Sequence, residues 1–222
     1  MEKYISKKEK ASYGFAAVGS YMVAGITQSY LMYFFTDILI IPSAFVMMLM
    51  IVARVWDALN DPMMGVIVDR TSTKYGKMRP YVLIGSFLML VTTIVLFMPL
   101  TGAPTMFKMI FAAVSYIIFG MAYTLTDVPA MGLMSVATPN SDERASLLSF
   151  YVTVGSVGSL LPVGLLTIFQ SFIPEKYVYF AMSIFVGIIT SAAYLTLFKN
   201  SKERFSTHTE KIAVRDMIKA AG

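Results

Sequence analysis

The chain has 222 residues, of which 57% are hydrophobic and 14% are charged, and its mean hydropathy is +0.68. A soluble domain carries charge on about a quarter of its residues, so this composition indicates a membrane protein. Cysteine is absent and the single histidine, His208, lies in the polar tail, which excludes disulfides, thiol nucleophiles and multi-histidine metal sites. The net charge of +5 does not indicate nucleic acid binding, because the charges occupy short loops between long apolar runs.

Six apolar segments are each long enough to cross about 30 Å of hydrocarbon as an α-helix. The sequence therefore predicts an all-α membrane protein with a polar arm over residues 1–10, a six-helix transmembrane bundle over 11–198 and a polar linker over 199–222. A capping-box spacing at Thr207–Glu210 predicts a short amphipathic helix in the linker. The predicted spans are Ala11–Phe35, Ser43–Val68, Tyr81–Leu100, Met106–Ala137, Ala145–Phe169 and Tyr177–Phe198.

The distribution of basic residues predicts the orientation of these spans. Alternate loops fall on opposite sides of the membrane, and one side collects nearly all the lysines and arginines together with both termini. The other side has only Lys176 and, at a helix mouth, Lys108. By the positive-inside rule we expect a multi-pass protein of the cell membrane with both termini in the cytoplasm. We expect no cleavable signal peptide, because the first apolar run is too long for one.

The second span contains polar side chains at bilayer depth, where an ionisable group costs about 2.5–3.5 kcal/mol on insertion scales. Arg54, Asp57 and Asp61 are spaced by three and four residues, so they share one helix face, and Asn60 is their neighbour. That face must point to a partner helix or a water-filled cavity. The carboxylates and the Asn60 carbonyl are hard oxygen donors, which suit a cation such as sodium, or protons.

The fourth span contains a further acid, Asp127, and Tyr123 and Thr124 lie one turn earlier on the same face. Three carboxylates against one arginine leave a negative excess that a bound cation or shifted pKa values would neutralise. The alternative is a structural network in which Arg54 pairs with one aspartate and the others are protonated. Helical spacing alone does not decide whether the two spans touch.

The loop between the second and third spans is rich in basic residues, as expected for a cytoplasmic loop. Its spacing also resembles the loop between helices two and three of the major facilitator superfamily, where an acid and basic residues latch the inward-closed state. The residues that fit such a latch are Gly65, Asp69, Arg70, Gly76, Lys77 and Arg79.

Longer stretches make the resemblance more specific. The run WDALNDPMMG from Trp56, followed by DRT at Asp69 and YGKMRP at Tyr75, is similar to the signature of the glycoside-pentoside-hexuronide:cation symporters, the melibiose-permease-like sugar carriers. The runs YGF at Tyr13 and YLMYFFTD at Tyr30 resemble that family's first helix, and GMAYTLTDVP at Gly120 resembles its fourth. The match runs through the first four spans and weakens after Arg144.

The resemblance implies the amino-terminal half of a twelve-helix major facilitator transporter, with a second six-helix bundle as partner. It implies cation-coupled symport of a sugar by alternating access, with sodium or a proton as coupling ion and no other cofactor. It also implies a cation site of Asp57, Asn60, Asp61 and Thr124, and a substrate site in which Asp127 binds sugar hydroxyls. Tyr123, Tyr21 and Met131 are the further substrate-site candidates.

Three positions depart from the family pattern. Tyr21, beside Ser20, stands where sugar-binding members have an acid, and Met131 stands where they have a tryptophan. The family's helix-five arginine aligns with Val152, give or take a residue. The cation half of the site is therefore kept and the sugar half is rewritten, so galactoside specificity does not follow.

Three other interpretations remain open at this stage. The less polar pocket could favour an amphiphile or another organic solute over a sugar. An intramembrane enzyme with paired aspartates is disfavoured, because Asp127 lacks the Gly-x-Gly-Asp element of such proteases. A half-length chain could also be a fragment or an interaction module without transport activity of its own.

Overall fold

The structure is a computed structural model that describes residues 4–205. Within that range the chain forms six α-helices, and the first continues into one π-helical turn, Phe34–Ile38. The helices are α1 (Lys7–Tyr33), α2 (Ser43–Arg70), α3 (Arg79–Leu96), α4 (Thr105–Ala137), α5 (Ser141–Gln170) and α6 (Glu175–Asn200). The helix expected after Thr207 lies outside the described residues.

The helices begin where polar caps or prolines set the backbone. The Ser6 hydroxyl accepts a hydrogen bond from the Glu9 N–H, so α1 starts at Lys7, within the region predicted as an arm and before the predicted start at Ala11. The Asn140 side chain accepts from the N–H groups of Asp142 and Glu143 at the start of α5. Proline directly precedes α2, α4 and α6, where its fixed φ suits a helix start.

Five helices, α2 to α6, are long and apolar enough to cross a membrane. The remaining helix, α1, is the least apolar of the six, with Lys7, Lys8 and Lys10 in its first turns. The expectation of an all-helical bundle with membrane-spanning helices is therefore confirmed, whereas the predicted span at α1 stays a prediction.

The helices pack in the order α5, α1, α6, α3, α4, α2, each against the next. One apolar cluster surrounds Phe34 and Met89, and a second surrounds Tyr13 and Leu133 at the end of the bundle where α1 begins and α6 ends. We call this end the basic end. Because α2 packs chiefly on α4, much of its surface is apolar and exposed, with Ile51 62% and Val55 60% accessible.

Small residues bring α5 close to α1, as is common between membrane helices. Gly155 packs on the Tyr21 ring and the Ser159 carbonyl lies beside Gly25. A Cβ atom at Gly158 would lie 2.8 Å from the Val18 carbonyl oxygen, whereas a Cβ at Gly164 would meet no atom within 4 Å. The helices thus touch along a stripe that ends before Gly164.

This contrast predicts opposite effects for the same substitution at two positions of α5. Gly164→Ala should stabilise the protein by about 0.8–1 kcal/mol through helix propensity. Gly158→Ala should destabilise it by about 1–3 kcal/mol, because α1 and α5 must move apart. Thermal unfolding of the purified variants measures both effects, and two shifts of the same sign would contradict the packing described.

Candidate cation and solute site

A cavity of about 620 Å³ lies between α1, α2 and α4. Arg54, Asp57 and Asp61 line it from α2, and Tyr123, Thr124 and Asp127 line it from α4. The question that helical spacing left open is therefore settled: the two polar faces point at each other across one space.

The two acids of α2 lie opposite two residues of α4 that have the same spacing along their helix: Asp61 faces Thr124 and Asp57 faces Gly120. The Thr124 hydroxyl donates to Asp61 Oδ1 at 2.9 Å. One turn away, Asp57 Oδ1 would lie 3.1 Å from a Cβ atom at Gly120, so the absence of a side chain there leaves room for the carboxylate. Because successive turns of α2 face successive turns of α4, the two helices run in the same direction at this site.

Arg54 does not clamp the aspartates. Its side chain is exposed to the cavity and forms no hydrogen bond or salt bridge with any described residue. Asp57 is half-buried and Asp61 is exposed, so the oxygens of both acids remain open to a guest. The structure thus lacks the Arg54–aspartate pair that a purely structural network requires.

Asn60 differs from the other predicted cation ligands. It is buried at 8% exposure, and it does not line the cavity. Its Nδ2 atom has no hydrogen-bond partner among the described residues. Such an orphaned buried donor is rare in folded proteins. Packing therefore holds this side chain in place, without a hydrogen bond from Nδ2 to a described residue.

Asp127 lies at the centre of a set of hydroxyl groups. Its Oδ1 atom accepts from the Ser20 hydroxyl at 2.8 Å and from the hydroxyls of Tyr151 and Tyr194 at 3.4 Å each. The Ser20 hydroxyl is also 3.1 Å from the Tyr123 hydroxyl. The hydroxyls of this set come from α1, α4, α5 and α6, and no described residue donates a hydrogen bond to Asp127 Oδ2.

Tyr151 and Tyr194 were not among the predicted site residues. Tyr151 is adjacent to Val152, where the resemblance places the family's helix-five arginine to within one residue, and Val152 itself is 41% exposed. Tyr194 lies in α6, where no pattern pointed to Asp127. A tyrosine within an apolar span was the only signal in the sequence, and many such tyrosines simply pack in the core.

The other two substrate-site candidates do not line the cavity. Tyr21 packs edge-to-face on Tyr151, with ring centroids 6.2 Å apart. Met131 is one turn beyond Asp127 on α4 and 40% exposed. Both are therefore neighbours of the Asp127 hydroxyl set, and Tyr21 reaches it through Tyr151.

The predicted latch residues fall into two groups. Gly65, Asp69 and Arg70 lie at the end of α2, where the side chains of Asp69 and Arg70 are exposed and form no hydrogen bond with described residues. Gly76, Lys77 and Arg79 are half-buried at the start of α3 and just before it. The Arg79 Nη2 atom donates to the Phe198 carbonyl at 2.7 Å, and its guanidinium lies 4.8 Å from the Phe198 ring centroid.

Comparison with known proteins identifies the family to which this chain belongs. Residues 12–222 match the family described as MFS/sugar transport protein. The chain is 33% identical to an uncharacterized symporter, YjmB, of Bacillus subtilis (strain 168), over 98% of this chain and 49% of that protein. It is 31% identical to a putative glycoside/cation symporter, YagG, of Escherichia coli (strain K12), over 91% of this chain and 44% of that protein.

A third relative, the isoprimeverose transporter of Lactiplantibacillus pentosus, is 28% identical over 96% of this chain and 46% of its own length. The chain thus spans about half the length of the curated relatives it matches. These relatives are named as symporters and transporters and not as enzymes, which agrees with the prediction from the sequence. The chain belongs to the MFS/sugar transport protein family of membrane transporters.

Proposed function

We propose that this chain forms the amino-terminal half of a cation-coupled sugar symporter that works by alternating access. The observation that carries the proposal is the Thr124–Asp61 hydrogen bond beside an unclamped Asp57, in a cavity that Asp127 also lines. Carboxylate and hydroxyl oxygens at this spacing suit a small hard cation. Symport names among the relatives, including a glycoside/cation symporter, support the same conclusion.

The cation would bind between α2 and α4. We propose Asp57, Asp61 and Thr124 as ligands, with sodium or a proton as the coupling ion. Asn60 joins them if its side-chain amide turns its oxygen toward the aspartates, and its Nδ2 atom would give up no hydrogen bond to a described residue in that rotation. A cation there offsets the excess of carboxylates over the single Arg54 guanidinium.

The solute would bind Asp127 through its hydroxyls. A carboxylate whose Oδ1 atom is held by protein hydroxyls presents its other oxygen as a fixed acceptor, which suits a polyol such as a sugar. Tyr123 lines the same cavity and adds a hydroxyl. We propose that Tyr21 shapes this site through Tyr151, and that Met131 shapes it from the next turn of α4.

Binding of the cation and of the solute would be coupled through their shared cavity. Each ligand would favour a conformation that the other also favours, so each would raise the affinity for the other.

The exposed apolar face of α2 supports a second six-helix bundle as partner. We propose that a latch at the basic end joins the two bundles, formed by Gly65, Asp69, Arg70, Gly76, Lys77 and Arg79. The charge asymmetry of the loops supports a cell membrane location with both termini cytoplasmic.

The cation site can be tested with the only tryptophan of the chain, Trp56, which lines the cavity beside Asp57. Replacement of choline chloride by NaCl at constant ionic strength should change Trp56 fluorescence saturably. At a concentration one hundred times Kd the protein should gain about 2.7 kcal/mol of stability. Asp57→Asn and Asp61→Asn should abolish both responses, because each removes a charged ligand.

The control for this experiment is Asp37→Asn. It removes a carboxylate that lies outside the cavity, at the end of the bundle opposite the basic end. Its sodium response should equal that of the unmodified protein. A response to acidification without one to sodium would assign the proton as coupling ion. Full sodium responses in Asp61→Asn would contradict the assigned site.

The solute site predicts a graded loss of affinity. Asp127→Asn should weaken sugar binding about 10–100-fold, because hydrogen bonds to charged groups are worth about 1.5–3 kcal/mol. Tyr151→Phe should weaken it less, about tenfold at most, because the tyrosine only positions the carboxylate. Isoprimeverose, a glucuronide, a neutral glycoside and a non-sugar amphiphile would be compared by Trp56 fluorescence.

Tyr177→Phe is the matched control, since Tyr177 is exposed at the end of the bundle opposite the basic end. Its sugar affinity should not change. Binding of the amphiphile alone, with Asp127→Asn unaffected, would replace the sugar proposal by transport of another organic solute.

A further inference from the structure

The residues after α6 run along the basic end of the bundle and contact the ends of three other helices. We call residues Ser201–Phe205 the exit segment. Lysine, glutamate and arginine in such a position ordinarily form a solvated charged surface, but Glu203 and Arg204 are only partly exposed here. Each of them makes several short polar contacts.

Glu203 holds the loop that leads into α3. Its carboxylate accepts hydrogen bonds from the backbone N–H groups of Lys77, Met78 and Arg79, at 2.8, 2.9 and 3.0 Å. The first N–H groups of a helix have no acceptor within it, and the helix dipole favours a negative charge there. One side chain therefore satisfies three backbone donors at the start of α3.

Gly76 makes this contact possible in two ways. Its φ is +104°, a conformation that residues with a side chain rarely adopt. A Cβ atom at Gly76 would also overlap the Glu203 carboxylate. The glycine at the centre of the predicted latch thus serves the contact with Glu203.

Arg204 ties the same segment to α1 and α4. Its guanidinium forms a bidentate pair with Glu9, with Nη2–Oε2 at 2.7 Å and Nη1–Oε1 at 2.9 Å, and these hydrogen bonds raise the pKa of Arg204. Glu9 is 1% exposed. The backbone N–H groups of Arg204 and Phe205 donate to the Val136 carbonyl near the end of α4, at 3.1 and 3.0 Å.

We propose that the exit segment is a clasp, in which Glu203 and Arg204 act as one unit to fix the Gly76–Arg79 half of the loop to the ends of α1 and α4. The two residues are consecutive and their partners lie on different helices. Release of either side chain therefore frees the exit segment to leave the partners of both residues. Asp69 and Arg70, at the end of α2, are outside the clasp and stay available to other contacts. The clasp does not depend on the identity of the ion or solute.

Hydrogen exchange of the purified full chain, followed by mass spectrometry, tests the clasp directly. Glu203→Gln should speed exchange of the amides of residues 77–79 about tenfold or more, because it weakens three charge-assisted hydrogen bonds. Glu9→Gln should speed exchange of the same amides by a similar factor, although Glu9 touches none of them. That remote effect separates a clasp from a local helix cap.

Asp142→Asn is the matched control, because Asp142 is an exposed acid at the basic end whose side chain is outside the clasp. It should leave exchange at 77–79 unchanged. Peptides from α4 report whether a variant remains folded, and Arg204→Lys, which keeps the charge but loses the bidentate geometry, replaces Glu9→Gln if that variant unfolds. Unchanged exchange at 77–79 in the folded Glu9 or Arg204 variant would overturn the proposal.

Discussion

Carboxylates within a bundle of apolar helices are stable only if each has polar partners or faces space that water or an ion can enter. This constraint organises α1, α2 and α4. Asp127 meets it with hydroxyls from several helices, Asp61 meets it with Thr124, and Asp57 meets it by lying over Gly120 at the cavity. These contacts bring the polar faces of α1, α2 and α4 toward one another.

The part of the site within two helices was predictable, because helical periodicity places Arg54, Asp57 and Asp61 on one face and Tyr123, Thr124 and Asp127 on another. The resemblance to sugar symporters then brought the two faces together. Tyr151 and Tyr194 were not predictable in this way. Their contact with Asp127 depends on the relative rotation of α5 and α6, and spacing along one helix contains no information about its rotation against another.

Each predicted helix boundary lies within four residues of the observed one, and the starts of α1 and α5 are among the boundaries that differ most. The start of α1 at Lys7 depends on the Ser6 cap, and the start of α5 depends on the Asn140 cap; hydropathy does not detect these local hydrogen bonds. The role of Glu203 was missed for a similar reason. A charged residue after the last apolar segment reads as solvated surface, and only the three-dimensional structure places it on the N–H groups at the start of α3.

The matching register of α2 and α4 has a consequence for the proposed alternating access. A slide of α2 along α4 by one helical turn, about 5.4 Å, would carry Asp61 from Thr124 to Gly120, which offers no hydroxyl. The same slide would move Asp57 away from the gap that accommodates it. If the proposed cation site is occupied as described, ion affinity depends on the axial alignment of α2 with α4. A rigid-body tilt of the bundle would keep that alignment, whereas sliding of α2 along α4 would lower the affinity for the ion.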